Sequence, residues 1–251
     1  MTSDAAWRER AHSFDAVAAE YAVLRPGYPA DAVAFLAGGE QTRRVLDLGA
    51  GTGLLTEPLL AAGHEVVAVD RSAAMLQQLT SRLPSVTAAV GTAEELPLPD
   101  ADVDVVVAGQ AAHWFDPRAT AQELRRVLRP GGTVGFVWNL RDQRVPWIAA
   151  ITELLGAEAQ DHQDDRGVVA AFAAELDAEV APLVSGTVQH LTPEGVVGRV
   201  ATSSYASLLE PADREAYLGR IRQLLATHPD TRGRERLALS YVTCAWRLTL
   251  G

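Results

Sequence analysis

Lysine is absent from all 251 residues, so the 22 basic side chains are arginines throughout. That absence rules out a lysine-bearing phosphate loop, a Schiff base to pyridoxal phosphate and the Tyr-x-x-x-Lys dehydrogenase dyad. Cys244 is the single cysteine, so no internal disulfide can form. His12, His64, His162, His190 and His228 are scattered without a metal-ligand spacing such as H-E-x-x-H, and no metal site is expected. No apolar run approaches membrane-spanning length, and the segment Met1 to Arg10 is charged and lacks an apolar signal core. These absences predict a soluble cytoplasmic protein with no membrane partner. A net charge of −10 opposes docking on a polyanion. The small arginine groups at Arg125-Arg126 and Arg232 to Arg236 read as solvated surface, so nucleic acid is not an expected partner.

What is present is alternation. Short runs rich in valine and leucine predict strands at 44–48, 65–69, 86–90, 103–108 and 132–138, with helical periodicity at 53–62, 72–82 and 118–128 between them. Strand–helix alternation implies a parallel sheet with right-handed crossovers. Ahead of it the segment from Ala30 to Leu36 reads as a helix stopped by Gly38-Gly39. Pro58 should make the first crossover helix start late or bend. Arg129-Pro130-Gly131-Gly132 reads as a turn before the fifth strand. Helices follow at Val145 to Gly156, Val168 to Val180, 193–200 and 211–226, with strands at 183–190 and Leu237 to Leu250. No linker splits off a domain. The expectation is one domain over 1–251, with an arm or lid at 1–43, a binding core at 44–138 and substrate-side insertions within 139–251.

The strand Val45-Leu46-Asp47-Leu48 breaks into Gly49-Ala50-Gly51-Thr52-Gly53, and nineteen residues after Gly51 the next strand ends at Asp70. Alternating glycines allow a tight turn and close approach of backbone to a ligand. A carboxylate at the tip of the adjacent strand sits where ribose hydroxyls would lie. The dinucleotide pattern G-x-G-x-x-G would need Gly or Ala at Leu54, so the spacing disfavours a nicotinamide oxidoreductase.

This run resembles the first motif of the class I S-adenosylmethionine-dependent methyltransferases, and the chain is similar to their small-molecule subgroup. The resemblance implies a doubly wound seven-stranded sheet of order 3-2-1-4-5-7-6, mostly parallel, with helices on both faces. It also implies S-adenosyl-L-methionine as cofactor, with S-adenosyl-L-homocysteine as product. By the same resemblance Gly49, Ala50, Gly51 and Gly53 face the methionine part, Asp70 holds the ribose, and Arg71 and Met75 flank the adenine. Thr92 and Ala93 stand where an aspartate usually bonds the adenine amine, a departure from the pattern. Gln110 would border the cofactor, while Tyr21 and Arg25 close the methionine end. The segment His113-Trp114-Phe115, the aromatic arm with Phe14 and Tyr28, and Trp138-Asn139 after the fifth strand match the subgroup's acceptor side.

Methyl transfer from a sulfonium is an in-line displacement governed by positioning and exclusion of water. An acceptor protonated at neutral pH also needs a base, and His113 is the histidine at a strand end. It reads either as that catalytic base or as a residue shaping the acceptor pocket. Tyr205, with Ser203 and Ser204, either lines the acceptor cavity or packs the surface. The expected activity is methyl transfer to an O, N or C nucleophile of a small-molecule acceptor, by a monomer or homodimer. Two alternatives keep or change the cofactor: a cofactor-binding sensor or rearrangement catalyst, and a nicotinamide oxidoreductase.

Overall fold

The valine-rich runs are strands because each side of them has a helix to pack against. The computed structural model describes residues 25–39, 41–155, 165–203, 206 and 209–251. It contains strands β1 (Arg44–Leu48), β2 (Glu65–Asp70), β3 (Thr87–Val90), β4 (Val103–Gly109), β5 (Leu128–Arg141), β6 (Ala178–Leu191) and β7 (Leu237–Leu250). They form one seven-stranded sheet of order β3-β2-β1-β4-β5-β7-β6, the predicted order. The pairs β1–β2, β1–β4, β2–β3 and β4–β5 are parallel. β7 runs against β5: Asn139 meets Thr243 while the Asp142 N–H donates to the Ser240 carbonyl, so one number rises as the other falls.

Period-two alternation sends successive side chains to opposite faces. Leu46, Leu48, Val106, Ala108, Phe136 and Trp138 point to a core closed by helices α4 (Pro117–Val127) and α6 (Asp165–Leu176). Val45, Val105, Val107 and Val137 point the other way, onto α1 (Ala30–Ala37) and α2 (Thr56–Ala61). Helix α3 (Ala73–Arg82) brings Leu76 and Leu79 to Ala50 and Ala68. The chain divides into two compact units, and the cores just described lie in the one made of Gly27–Leu140, Asp164–Gly186 and Thr243–Gly251. The other comprises Met1–Pro26, Arg141–Gln163 and Thr187–Val242. Its core joins Trp147, Ile148 and Ile151 of α5 (Pro146–Leu155) to Val196, Val197 and Val200 of α7 (Pro193–Ala201). Tyr217, Leu218 and Ile221 of α8 (Pro211–Thr227) and Tyr241 of β7 complete it. Among the described residues, no helix is long and apolar enough to cross a membrane.

One local expectation, the late start of the Pro58 helix, is met, and two change. Helix α2 begins at Thr56, later than 53, which puts Pro58 in the first turn where its missing N–H has no intrahelical partner to lose. The predicted turn at Arg129 to Gly132 is absorbed into β5 as an irregularity: Val103 pairs with Leu128 but Val105 with Thr133, and Gly131 takes φ +78 to accommodate the excess. The predicted helix to Val180 stops at Leu176, because Asp177 turns left-handed at φ 47, and β6 starts at Ala178.

Candidate functional site

Asp47 is a charged residue in the middle of an apolar strand, and the site is built on it. It lies in β1 between Ala68 of β2 and Val107 of β4, 1 % exposed. The Thr56 hydroxyl donates to its Oδ2 at 2.6 Å, and Oδ1 is buried without a partner. Burial pushes the carboxyl up from 3.8 to about 7; the Thr56 bond opposes the rise and the charge of Asp70 adds to it.

Above Asp47 the chain leaves β1 through three left-handed glycines, Gly49 (φ +72), Gly51 (φ +55) and Gly53 (φ +88). They differ in what a side chain would meet. At Gly49 a Cβ would stand 2.6 Å from the Ala111 Cβ, and at Gly53 3.0 Å from the Leu79 Cγ, whereas at Gly51 nothing lies within 4 Å. Gly49 and Gly53 therefore serve the protein's own packing, and Gly51 leaves a backbone cradle that a Cβ would fill. The Gly51 N–H donates to Asp70 Oδ2 and the Ser72 N–H to Asp70 Oδ1, both at 2.8 Å. Two rigid backbone donors thus set the plane of the carboxylate at the tip of β2.

Ser72 is also the N-cap of α3, accepting from the Met75 N–H at 3.1 Å, and Met75 is buried beneath the turn. Arg71 is exposed beside it. After β3, Thr92 is exposed and paired with Glu95, while Ala93 is buried in the core. Glu94 accepts the Asp116 N–H at 3.0 Å and so ties this loop to the turn before α4.

β4 is followed by Gln110, a non-glycine residue held at φ 56. Its N–H reaches the Val137 carbonyl, and its Nε2 donates to the Asn139 carbonyl at 2.9 Å. The Asn139 side chain is committed at both ends: Nδ2 donates to the Gly27 carbonyl at 3.2 Å, and Oδ1 accepts from the Thr243 hydroxyl at 2.6 Å. Tyr28 is half-buried with its hydroxyl against Gly109, where a Cβ would come within 2.5 Å of it.

His113 lies in the 3-10 turn Ala112–Trp114, its ring 4.8 Å from that of Trp114. Trp138 is fully buried in the core and donates its indole N–H to His113 Nδ1 at 3.4 Å. An indole can only donate. Nδ1 is therefore the unprotonated nitrogen, and the neutral ring carries its proton on Nε2. The structure thus gives Trp138 a supporting place behind His113, within the core.

The glycine turn, Asp70, Gln110, His113, Trp138, Asn139 and Tyr28 all belong to the unit that carries β1 to β4. Arg25 belongs to the other, where its Nη2 donates to the Thr202 carbonyl at 2.8 Å. Phe14, Tyr21 and Tyr205 lie outside the described residues. Asp47, Thr56 and Ser72 were not among the expected site residues, though a carboxylate inside an apolar strand and a serine opening a helical run are both visible signals.

The chain is similar to known methyltransferases. Residues 46–136 match the family described as a methyltransferase domain. An uncharacterized methyltransferase of Mycobacterium bovis is 42% identical over 243 residues, which is 97% of this chain and 98% of its own. The malonyl-[acyl-carrier protein] O-methyltransferase of Methylococcus capsulatus is 39% identical over 121 residues, 44% of either chain. Among solved structures, a candidate type II methyltransferase of Anaeromyxobacter dehalogenans has a TM-score of 0.63 at 28% identity, covering 90% of this chain and 97% of that one.

Proposed function

Because the chain belongs to the class I S-adenosylmethionine-dependent methyltransferases, we propose that it methylates an oxygen, nitrogen or carbon nucleophile of a small-molecule metabolite, acting in the cytoplasm as a monomer or homodimer. The observation that carries this reading is Gly51, whose left-handed backbone is open to a ligand while its N–H is bonded to Asp70. When bound, S-adenosylmethionine supplies an electrophilic methyl group on a cationic sulfur. Gly49, Ala50, Gly51 and Gly53 shape the backbone for its methionine part. Asp70, already oriented by two N–H groups, holds the ribose hydroxyls. Arg71, Met75, Thr92 and Ala93 border the adenine.

Acceptor positioning falls to His113 and Trp114, with Tyr28 as a wall and Gln110 between the two sides. With Nδ1 engaged by Trp138, His113 presents an Nε2–H, which donates a hydrogen bond and does not take a proton. The expected base is thus better read as a donor that orients an acceptor atom already carrying a lone pair. Such an acceptor, a carboxylate for example, needs no proton removed. Trp138 acts as a positioning residue through His113. The malonyl-[acyl-carrier protein] O-methyltransferase relative matches less than half of the chain, so it supports methyl transfer and does not identify the acceptor.

The test is calorimetric titration with S-adenosylhomocysteine, with Asp70→Ala as control, followed by mass analysis of an acceptor panel. Saturable binding weakened by Asp70→Ala, and a product heavier by one methylene unit, are expected. A folded protein that binds no S-adenosylhomocysteine would refute the reading.

A further inference from the structure

The arginines in the unit comprising Met1–Pro26, Arg141–Gln163 and Thr187–Val242 differ in what holds them. Arg222 is exposed and paired with Glu194 and Glu215, an ordinary surface network. Arg25 and Arg214 each reach a carbonyl at the end of α7, Thr202 at 2.8 Å and Ala201 at 3.4 Å. Arg199 and Arg141 are different. Arg199 lies on the inward face of α7 beside Val196 and Val200 and is 7% exposed. Its guanidinium carbon is 6.0 Å from the centre of the Tyr241 ring, and its Nε has no hydrogen-bond partner. Arg141 ends β5, half-buried, and stands opposite Tyr241 in the antiparallel β5–β7 pair, next to the Asp142–Ser240 bond; the Arg199 charge also acts on it. Among the described residues, neither arginine has a hydrogen bond or a carboxylate partner.

A buried cation left unpaired costs several kcal/mol, and cations beside one another cost more. Burial, and then the Arg199 charge, push the Arg141 guanidinium down to about 10, with Tyr241 and Tyr217 opposing the fall. It remains charged at neutral pH. A cation–π contact with one tyrosine offsets only a small part of such a cost. A fold that keeps two arginines in this condition has a use for them when an anion is present. The planar, multi-donor guanidinium matches carboxylate and phosphate oxygens two at a time.

We propose that Arg141 and Arg199, framed by Tyr217 and Tyr241, form a binding site for an oxyanion, the carboxylate or phosphate group of a small acidic metabolite. Tyr241 is held in place by its hydroxyl bond to Gln189 Oε1 at 3.1 Å, so the wall of the site is fixed before the ligand arrives.

The experiment uses the full chain and the variants Arg199→Gln and Arg141→Gln, titrated with malonate, inorganic phosphate and, at matched ionic strength, chloride, while thermal unfolding and calorimetry are followed. One of the two oxyanions should bind saturably and raise the midpoint of unfolding, and which one does so separates a carboxylate site from a phosphate site. Arg199→Gln should weaken that binding at least tenfold and, in the absence of anion, unfold at a higher temperature than the wild type. A merely structural arginine would do the opposite on removal. Arg141→Gln gives the same readout if Arg199→Gln fails to fold. Saturable binding unchanged in both variants, or no saturable binding of either oxyanion to the folded wild type, would overturn the proposal. S-adenosylhomocysteine titration of the same samples keeps the donor reading separate: its loss in the wild type refutes the methyltransferase assignment while leaving the anion site standing.

Discussion

Replacing Asp47 with asparagine should remove a pH dependence from the stability of the ligand-free protein and, above neutrality, make the fold more stable. The carboxyl titrates near 3.8 when unfolded and about 7 when folded, so between those values the native state holds a proton that the unfolded state has lost. Stability from this group is therefore complete below about pH 4 and is lost progressively as pH rises to about 7. A gap of roughly three pH units, at about 1.4 kcal/mol each, sets the loss at about 4 kcal/mol. Asparagine has the same shape, and its carbonyl can still accept from Thr56 as Oδ2 does at 2.6 Å. Its amide nitrogen takes the place of Oδ1, which has no partner, at a cost of about 1–3 kcal/mol. At pH 8 the variant should thus gain roughly 1–3 kcal/mol, while at pH 5 the two proteins should be much closer. Urea unfolding from pH 5 to 8.5 without donor measures the difference. A difference that stays constant across that range would refute the argument, because it would mean that Asp47 is charged in the fold throughout.

Gly49→Ala should destabilise by about 2–4 kcal/mol, from the left-handed backbone and the Cβ overlap with Ala111, whereas Gly51→Ala should cost about 1 kcal/mol and fold normally. Only Gly51→Ala should weaken S-adenosylhomocysteine binding in a folded protein, which calorimetry on both variants checks. Asp70→Asn should reduce donor affinity about ten- to thirtyfold by removing charge-assisted bonds; unchanged affinity would take the ribose role from Asp70. Trp138→Phe should leave donor affinity alone and lower kcat/KM for the acceptor, since it removes the N–H that fixes the His113 tautomer. Equal loss of both would indicate simple disruption of the core.

Much of the molecule is legible in one sequence. The strands read clearly because parallel strands covered on both faces are runs of valine and leucine, and the glycine turn because no other residue tolerates three left-handed positions in five. Segment ends were harder. Asp177 stops α6 by a conformation that aspartate only sometimes adopts, and the surplus residues around Gly131 are absorbed by a pairing partner, Val103, that composition does not reveal. The site was legible where chemistry is local, as at Asp70 with Gly51, and hidden where it depends on distant pairs. The contact that fixes the His113 tautomer comes from a residue 25 positions away. Nothing local to Arg199 signals that α7 buries it.

Asn139 also bears on how the protein is made. Its two side-chain bonds join residues 112 and 104 positions apart in the chain, to Gly27 and Thr243. Contacts of such range form only after the loops between them have been closed, and slow folding goes with them. The β1–β2 and β1–β4 pairs join shorter stretches, so the donor turn has what it needs before the last strand exists. On the ribosome, Thr243 emerges after all the strands of the donor side. The cradle for the cofactor is then assembled first, and the edge beside Gln110 and Asn139 is fastened only once β7 has been made.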